Sequence, residues 1–299
     1  MRRTFYTLDV FTETALAGNP LAVVLDSEGL DASRMQAIAR EFNLAETVFI
    51  EEPRNPVNTA RMRIFTPGRE LPFAGHPTVG AAILLAHLRA PDLLTREDLR
   101  VVIELEAGDV ACVARHRKGQ AMAAYFTLPR LPEGVGEPPS DAALAAGLGL
   151  DPSDIGFGAH RPTLYSAGVP FLFAPVAGLA AMARARPILK LWGENGGPAT
   201  YLYTNEVVHQ GSTIHARMFA SGWGIVEDPA TGSAVAAFAG VVMQFERPDD
   251  GGHMFVVEQG LEMGRPSFIS LGLDVENGAL RSATIGGSAV IVAQGVIDL

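Results

Sequence analysis

Three short stretches of this chain hold side chains whose type and spacing suit proton chemistry. In A-G-H-P-T, residues 74–78, the ionisable ring of His76 stands between a glycine and a proline, directly ahead of an apolar run. In N-L-A-E-T, residues 43–47, Glu46 sits among Leu44, Ala45, Val48 and Phe49 at the mouth of an apolar strand. In E-D-P-A-T-G-S-A, residues 227–234, Asp228 precedes a proline and a second apolar run. A carboxylate drawn partly out of water has a raised pKa, which suits it to moving protons near neutral pH. A surface glutamate at a strand start is the plainer reading of Glu46. A histidine at a helix start is disfavoured as a cation by the helix dipole, so His76 should be neutral, with one donor and one acceptor. Capping of a turn is the plainer reading there. Asp228 ahead of Pro229, taken as the first helical residue, fits an N-cap, a role compatible with chemistry.

Both apolar runs begin at a glycine, Gly75 and Gly232, flanked by small or cyclic residues. The first N–H groups of a helix lack internal partners and carry the positive end of its dipole, and a glycine admits a ligand close to the backbone. Such a start favours a carboxylate or phosphate, with ordinary capping as the alternative. No G-x-x-x-x-G-K-[ST] loop is present, G-E-N-G-G at 193–197 reads as a turn, and no G-x-G-x-x-G opens a helix after a strand. His87 and His209 lack metal-ligand spacing, and the single cysteine, Cys112, reads as a buried strand residue in D-V-A-C-V-A-R. The expectation is therefore no metal and no cofactor.

The elements that must position these residues are legible in outline. P-R-L-P-E-G-V-G-E-P-P, residues 129–139, reads as a linker between domains at 1–128 and 129–299, the last strand being free to return to the first domain. Before it, Y-T-L-D-V-F-T, L-A-V-V-L-D, T-V-F-I-E, A-R-M-R-I-F-T and V-V-I-E-L-E-A read as strands, and A-S-R-M-Q-A-I-A-R-E-F as a helix capped by Asp31. After it, P-T-L-Y-S-A-G, P-F-L-F-A-P-V, A-T-Y-L-Y-T-N, T-I-H-A-R-M-F-A, H-M-F-V-V-E-Q and S-A-V-I-V-A-Q-G-V-I repeat the style. Two segments, beginning at Arg63 and Arg217, echo each other: R-(I/M)-F, a turn, then a glycine heading an apolar helix, 12 positions on in the first copy and 15 in the second. Thr78–Leu88 and Ala234–Phe245 are apolar on nearly every face, so each must be enclosed on all sides, yet each is too short to cross a bilayer. A sheet curled around each gives an α+β protein of two similar domains with a cleft between them.

Bulk properties narrow the function. At 299 residues with 48% hydrophobic and 19% charged, the chain can bury a large core, and a net charge of -10 argues against nucleic acid. No signal-like segment and no long apolar stretch is present, so the reading is a soluble cytoplasmic protein with no membrane partner.

D-V-F-T-E-T-A-L-A-G-N-P-L-A-V-V, R-E-F-N-L-A-E-T-V-F-I, R-I-F-T-P-G-R-E-L-P-F-A-G-H-P-T-V-G-A-A, E-D-P-A-T-G-S-A and G-L-E-M-G-R-P-S occur in this order. Together they resemble the PhzF-like family, isomerases named for phenazine biosynthesis that share the diaminopimelate epimerase fold of two helix-in-sheet domains. The resemblance implies a cofactor-independent isomerase acting on a small carboxylate-bearing substrate. It implies Glu46 as general acid/base, His76 orienting the substrate or relaying a proton, and Asp228 facing the reacting part. Ser233 with the backbone of Gly232 and Gly75 would hold the substrate, Asn19 would border the site, and the enzyme would be a homodimer. Diaminopimelate epimerase heads its two helices with cysteines. His76 and Ser233 stand at those positions here, which disfavours thiol chemistry, and Trp223 departs from the expected pattern. The rival readings are an amino-acid epimerase or racemase, and a carboxylate-binding protein without turnover.

Overall fold

The computed structural model describes residues 2–188, 199–223 and 225–299. In chain order the first elements are β1 (Arg2–Val10), β2 (Asn19–Val24), α1 (Ala32–Phe42), β3 (Glu46–Glu51), β4 (Ala60–Phe65), β5 (Glu70–Leu71), α2 (Gly75–Arg89), α3 (Pro91–Leu94), β6 (Leu99–Leu105), β7 (Gly108–Arg115) and β8 (Met122–Thr127). There follow β9 (Glu133–Gly134), α4 (Asp141–Leu148), β10 (Thr163–Ser166), β11 (Pro170–Pro175), α5 (Leu179–Arg184), β12 (Thr200–Thr204), β13 (Ile214–Ala220) and β14 (Ile225–Asp228). The chain ends with α6 (Gly232–Phe245), β15 (Gly251–Gln259), β16 (Ser267–Glu276) and β17 (Ala279–Asp298). It divides into two compact units: one runs to Thr127 and takes in Gly286–Leu299, and the other is Leu128–Ile285.

In the first unit the strands close into a ring. β1 pairs with β2 and with β17, β2 lies parallel to β3, β3 pairs antiparallel with β4, and β4 lies parallel to β6. β6, β7 and β8 follow as an antiparallel meander, and β8 returns to β17. The result is an eight-stranded barrel with no free edge among these strands. α2 runs through it, and every residue from Gly75 to Ala86 is buried. The all-round apolar character of that helix, which no half-exposed surface could tolerate, is thereby satisfied. A Cβ on Gly80 would fall 2.6 Å from a Leu21 methyl and 2.8 Å from one of Val10, so helix and wall meet at van der Waals contact. Cys112 is fully buried on β7 and its thiol is pushed up to about 12 by burial, which leaves it an inert wall residue.

The second unit repeats the order. β10 pairs with β9 and β11, β11 lies parallel to β12, β12 pairs with β13, and β13 lies parallel to β15, which pairs with β16. The helix α6 is buried from Ala234 to Val242, and Phe238 meets the rings of Phe173, Tyr201 and Tyr203 at 5.8, 6.3 and 4.9 Å between centroids. The expected α+β class, each helix wrapped by its own sheet, is what the chain adopts. Strands β8 and β16 were absent from the sequence reading: the first is alanine-rich, and the second carries Gly272 where a Cβ would fall 2.4 Å from the Thr284 hydroxyl. The G-E-N-G-G turn lies outside the described residues.

The internal echo has a structural basis. Arg63 on β4 grips Glu70 on β5 through two hydrogen bonds of 2.7 Å, and Arg217 on β13 grips Glu227 on β14 at 2.7 and 2.9 Å. Each guanidinium also lies over a phenylalanine two positions on, Phe65 at 5.3 Å and Phe219 at 4.8 Å. The paired residues are 7 apart in the first copy and 10 in the second, so the three-residue insertion falls between arginine and glutamate. From the glutamate onward both copies read E-x-P-x-(A/T)-G to the helix start.

Candidate active site

In the first unit, α1 ends with Asn43 in the left-handed conformation, φ 51° and ψ 34°, and the chain swings into β3 at Glu46. Glu46 lies in register with Leu21 of the parallel strand β2. His76 is the second residue of α2, and its Nδ1 stands 3.3 Å from the Glu46 carboxylate Oε2. The imidazole is 4% exposed, and burial pushes its pKa down to about 3. The pair is therefore not an ion pair at neutral pH: a neutral ring faces a carboxyl group. With Glu46 ionised, Nδ1 carries the proton toward it, and Nε2 presents a lone pair. Nε2 is buried with no protein partner, a costly arrangement unless a ligand group meets it.

Gly75 heads this helix, buried, and Ala74 at the N-cap supplies no side-chain hydrogen bond. Asn19 is buried at the first position of β2. The preceding Gly18 has φ 63°, and a Cβ there would fall 2.4 Å from the Val10 carbonyl, so the A-G-N-P turn needs glycine. The Asp9 carboxylate accepts the Leu16 N–H at 2.6 Å, closing the loop that leads to Asn19.

In the second unit, the expected N-cap is displaced. Asp228 is the last residue of β14, paired with Met218 of β13, and α6 begins at Gly232 with Thr231 at its N-cap. Ladder pairing keeps Asp228 extended, so Pro229 lies ahead of the helix and is not its first residue. Thr231 makes no side-chain bond to the helix either. Its hydroxyl donates to Asp228 Oδ2 at 2.5 Å. Both helix starts thus lack a capping side chain, which leaves their leading N–H groups to other partners. Gly232 is buried and Ser233 half-buried at the start of α6. Trp223 ends a short turn of 3-10 helix, Ser221–Trp223.

Three residues beside Asp228 escaped the sequence reading: Thr231, Tyr201 and Gln259. Tyr201 and Gln259 lie far from Asp228 along the chain, and nothing in their local sequence marks them. Thr231 had a signal, the second copy of E-x-P-x-(A/T)-G, which also places the helix start. Burial, with the nearby Asp228, raises the Tyr201 phenol well above its ordinary value and keeps it a neutral donor. Among the described residues no group of three His, Cys, Asp or Glu side chains is arranged to hold a metal ion, and no helix is long and apolar enough to cross a membrane.

Residues 8–295 match the family model described as phenazine biosynthesis-like protein. The chain is 49% identical over 300 residues to a protein of Mesorhizobium japonicum named as an uncharacterized isomerase, covering 98% of each. It is 32% identical to the trans-2,3-dihydro-3-hydroxyanthranilate isomerase of Pseudomonas chlororaphis, covering 99% of each. Among solved structures, a phenazine biosynthesis protein of the PhzF family from Bacillus anthracis matches with a TM-score of 0.88 at 27% identity, over the whole of both chains.

Proposed function

Because this chain belongs to the phenazine biosynthesis-like protein family and is an isomerase of that family, we propose that Glu46 moves a proton within a small carboxylate-bearing substrate, without metal or cofactor. The observation that carries the reading is the Glu46–His76 pair, a carboxyl group held against a buried, neutral imidazole. Ionised Glu46 takes a proton from one carbon and returns it to another, so the enzyme ends as it began. His76 holds that carboxyl in place. Its Nδ1–H donates to Glu46 whether the carboxyl is ionised or protonated, since a protonated carboxyl keeps an acceptor oxygen, and Nε2 is left to accept from a donor group of the substrate. The uncapped start at Gly75 supports binding of the substrate's carboxylate, with Asn19 at its border, and Gly232, Ser233 and Asp228 are assigned to substrate binding in the second unit. The proposal extends to a homodimer in the cytoplasm.

The relatives' named substrate sets the first experiment. The protein, dialysed against chelator, is incubated with trans-2,3-dihydro-3-hydroxyanthranilate and the products are followed by NMR in D₂O. Isomerisation unaffected by the chelator is the expected result. Inversion of a single carbon in an amino acid, with no reaction of the dihydro compound, would move the assignment to an epimerase. Binding without any proton exchange would make the protein a carboxylate-binding module.

A further inference from the structure

Within the turn that carries Asp228, the Thr231 hydroxyl reaches back to the Asp228 carboxylate, while Pro229 has no N–H and α6 starts without a side-chain cap. The turn is also held from β15. Gln259, the fully buried last residue of that strand, donates from Nε2 to the Asp228 carbonyl at 2.7 Å and to Thr231 Oγ1 at 3.1 Å. Its Oε1 accepts the Thr231 N–H at 3.2 Å and the Tyr201 hydroxyl at 3.0 Å. Both amide hydrogens and both acceptor positions are used. One partner is a backbone carbonyl and another a backbone N–H, so the amide fits only one way round. A buried network satisfied to this degree is stiff, and it passes through the Thr231 hydroxyl to the Asp228 carboxylate.

The next residues hold the turn from its other side. Gly260 has φ 76°, and a Cβ there would fall 2.6 Å from the Pro229 carbonyl, so the loop 260–266 lies directly against the turn. Glu262 in that loop bonds to His215 Nε2 at 2.9 Å, and His215 Nδ1 bonds to Glu258, beside Gln259, at 2.8 Å.

The first unit supplies an internal control. Matching Arg63 with Arg217 and Glu70 with Glu227 aligns Leu71 with Asp228. The strand registers Arg61↔Glu104 and His215↔Glu258 align Leu105 with Gln259. Glu104 and Glu258 do the same work, each taking two backbone N–H groups of the preceding loop. That carboxylate is present in both halves, as a structural part should be, whereas glutamine appears only in the half that has the aspartate.

We infer that Gln259, with Thr231 and Tyr201, is the positioning group that holds the Asp228 carboxylate, and that loop 260–266, anchored to His215 by Glu262, seats the same turn through Gly260. The inference rests on Asp228 being a site residue as proposed above. The motif G-L-E-M-G-R-P-S then serves the geometry of the site.

The test uses the full chain with trans-2,3-dihydro-3-hydroxyanthranilate as probe. Gln259→Met, similar in size but without the four bonds, should lower kcat by about 10- to 100-fold, the loss that a misplacement near 1 Å brings, with KM changed by less than about threefold. Tyr201→Phe, which removes one hydroxyl, should give a smaller loss and guards against misfolding of the first variant. The double variant Asp228→Asn with Gln259→Met should be no slower than Asp228→Asn alone, since residues acting through one another are not additive. Losses that multiply would overturn the inference. A second readout does not depend on turnover: amide exchange at residues 228–233 should quicken in Gln259→Met while residues 75–79 stay unchanged. Unchanged exchange at 228–233 would overturn it too. If exchange quickens but Asp228→Asn keeps full turnover, the positioning stands and the catalytic assignment of Asp228 falls.

Discussion

At the scale of single residues, Glu46 and His76 divide the work of one proton. Glu46→Gln keeps the size and much of the hydrogen bonding but cannot take up a proton. Positioned acid/base groups are worth about 10²–10⁴ in rate, and one group that both removes and returns the proton should sit at or above the top of that range. Turnover of the variant should fall accordingly while a carboxylate inhibitor still binds, because the start of α2 is untouched. Near-wild-type turnover would hand the role to another group. His76 makes a separate prediction. Its pKa lies near 3 because burial penalises the charge, against about 6.5 in an unfolded chain. The unfolded state therefore takes up a proton that the folded state refuses as the pH falls below about 6.5. Folding stability should be independent of this ring at higher pH and decline by up to about 1.4 kcal/mol per unit on the way down toward 3. In ¹⁵N spectra the His76 ring should show no titration between pH 8 and 5. A midpoint in that range would mean the ring is an imidazolium partner of Glu46.

At the scale of elements, the helices were the most legible parts, their starts at Gly75 and Gly232 included, and the cap of α6 the least. Thr78–Leu88 and Ala234–Phe245 announce enclosure because no face is polar, and α1 follows its cap from Asp31, which accepts the Arg34 N–H at 2.8 Å. Only the cap of α6 was misassigned, because the preference of aspartate and proline for helix starts is local, while the pairing of Asp228 with Met218 joins separate strands. The same limit hid the His215 clamp between β13, β15 and the loop after it. Burial opposes charge on that imidazole, yet its hydrogen bonds to the Glu262 and Glu258 carboxylates outweigh it and raise its pKa. Both carboxylates are likewise opposed by burial, yet are held below their ordinary values. The sign follows. The histidine's contribution is present below about 6.5 and is lost as pH rises through its raised pKa, and the carboxylates' contribution is lost as pH falls below about 4.5. His215→Gln should therefore remove a stability advantage that is largest in the window between those values. Thermal melts of wild type and variant should converge above the raised pKa. Equal separation of the two melting curves at every pH would show that the ring serves packing alone.

At the scale of the whole molecule, the two halves are one plan written twice, and the repeat was visible as paired arginines before any strand was placed. The last strand was read as free to return to the first domain, and β17, which follows β16 in sequence, gives its last stretch to the unit that begins the chain. From Ala289 to Asp298 it pairs with the whole of β1, and it also pairs with β8. Removing Gly286–Leu299 would leave β1 and β8 each with one neighbour, opening a ring whose purpose is to enclose a helix with no polar face. No other described strand of that unit is free to close it. The expected outcome is loss of amide protection throughout α2, with binding of the carboxylate inhibitor lost, while α6 keeps its protection inside its own sheet. Exchange measured by mass spectrometry on the shortened chain checks this directly. If α2 stayed protected, barrel closure by the returning strand would not be what buries it, and the seven strands left would have to bear on the helix by themselves.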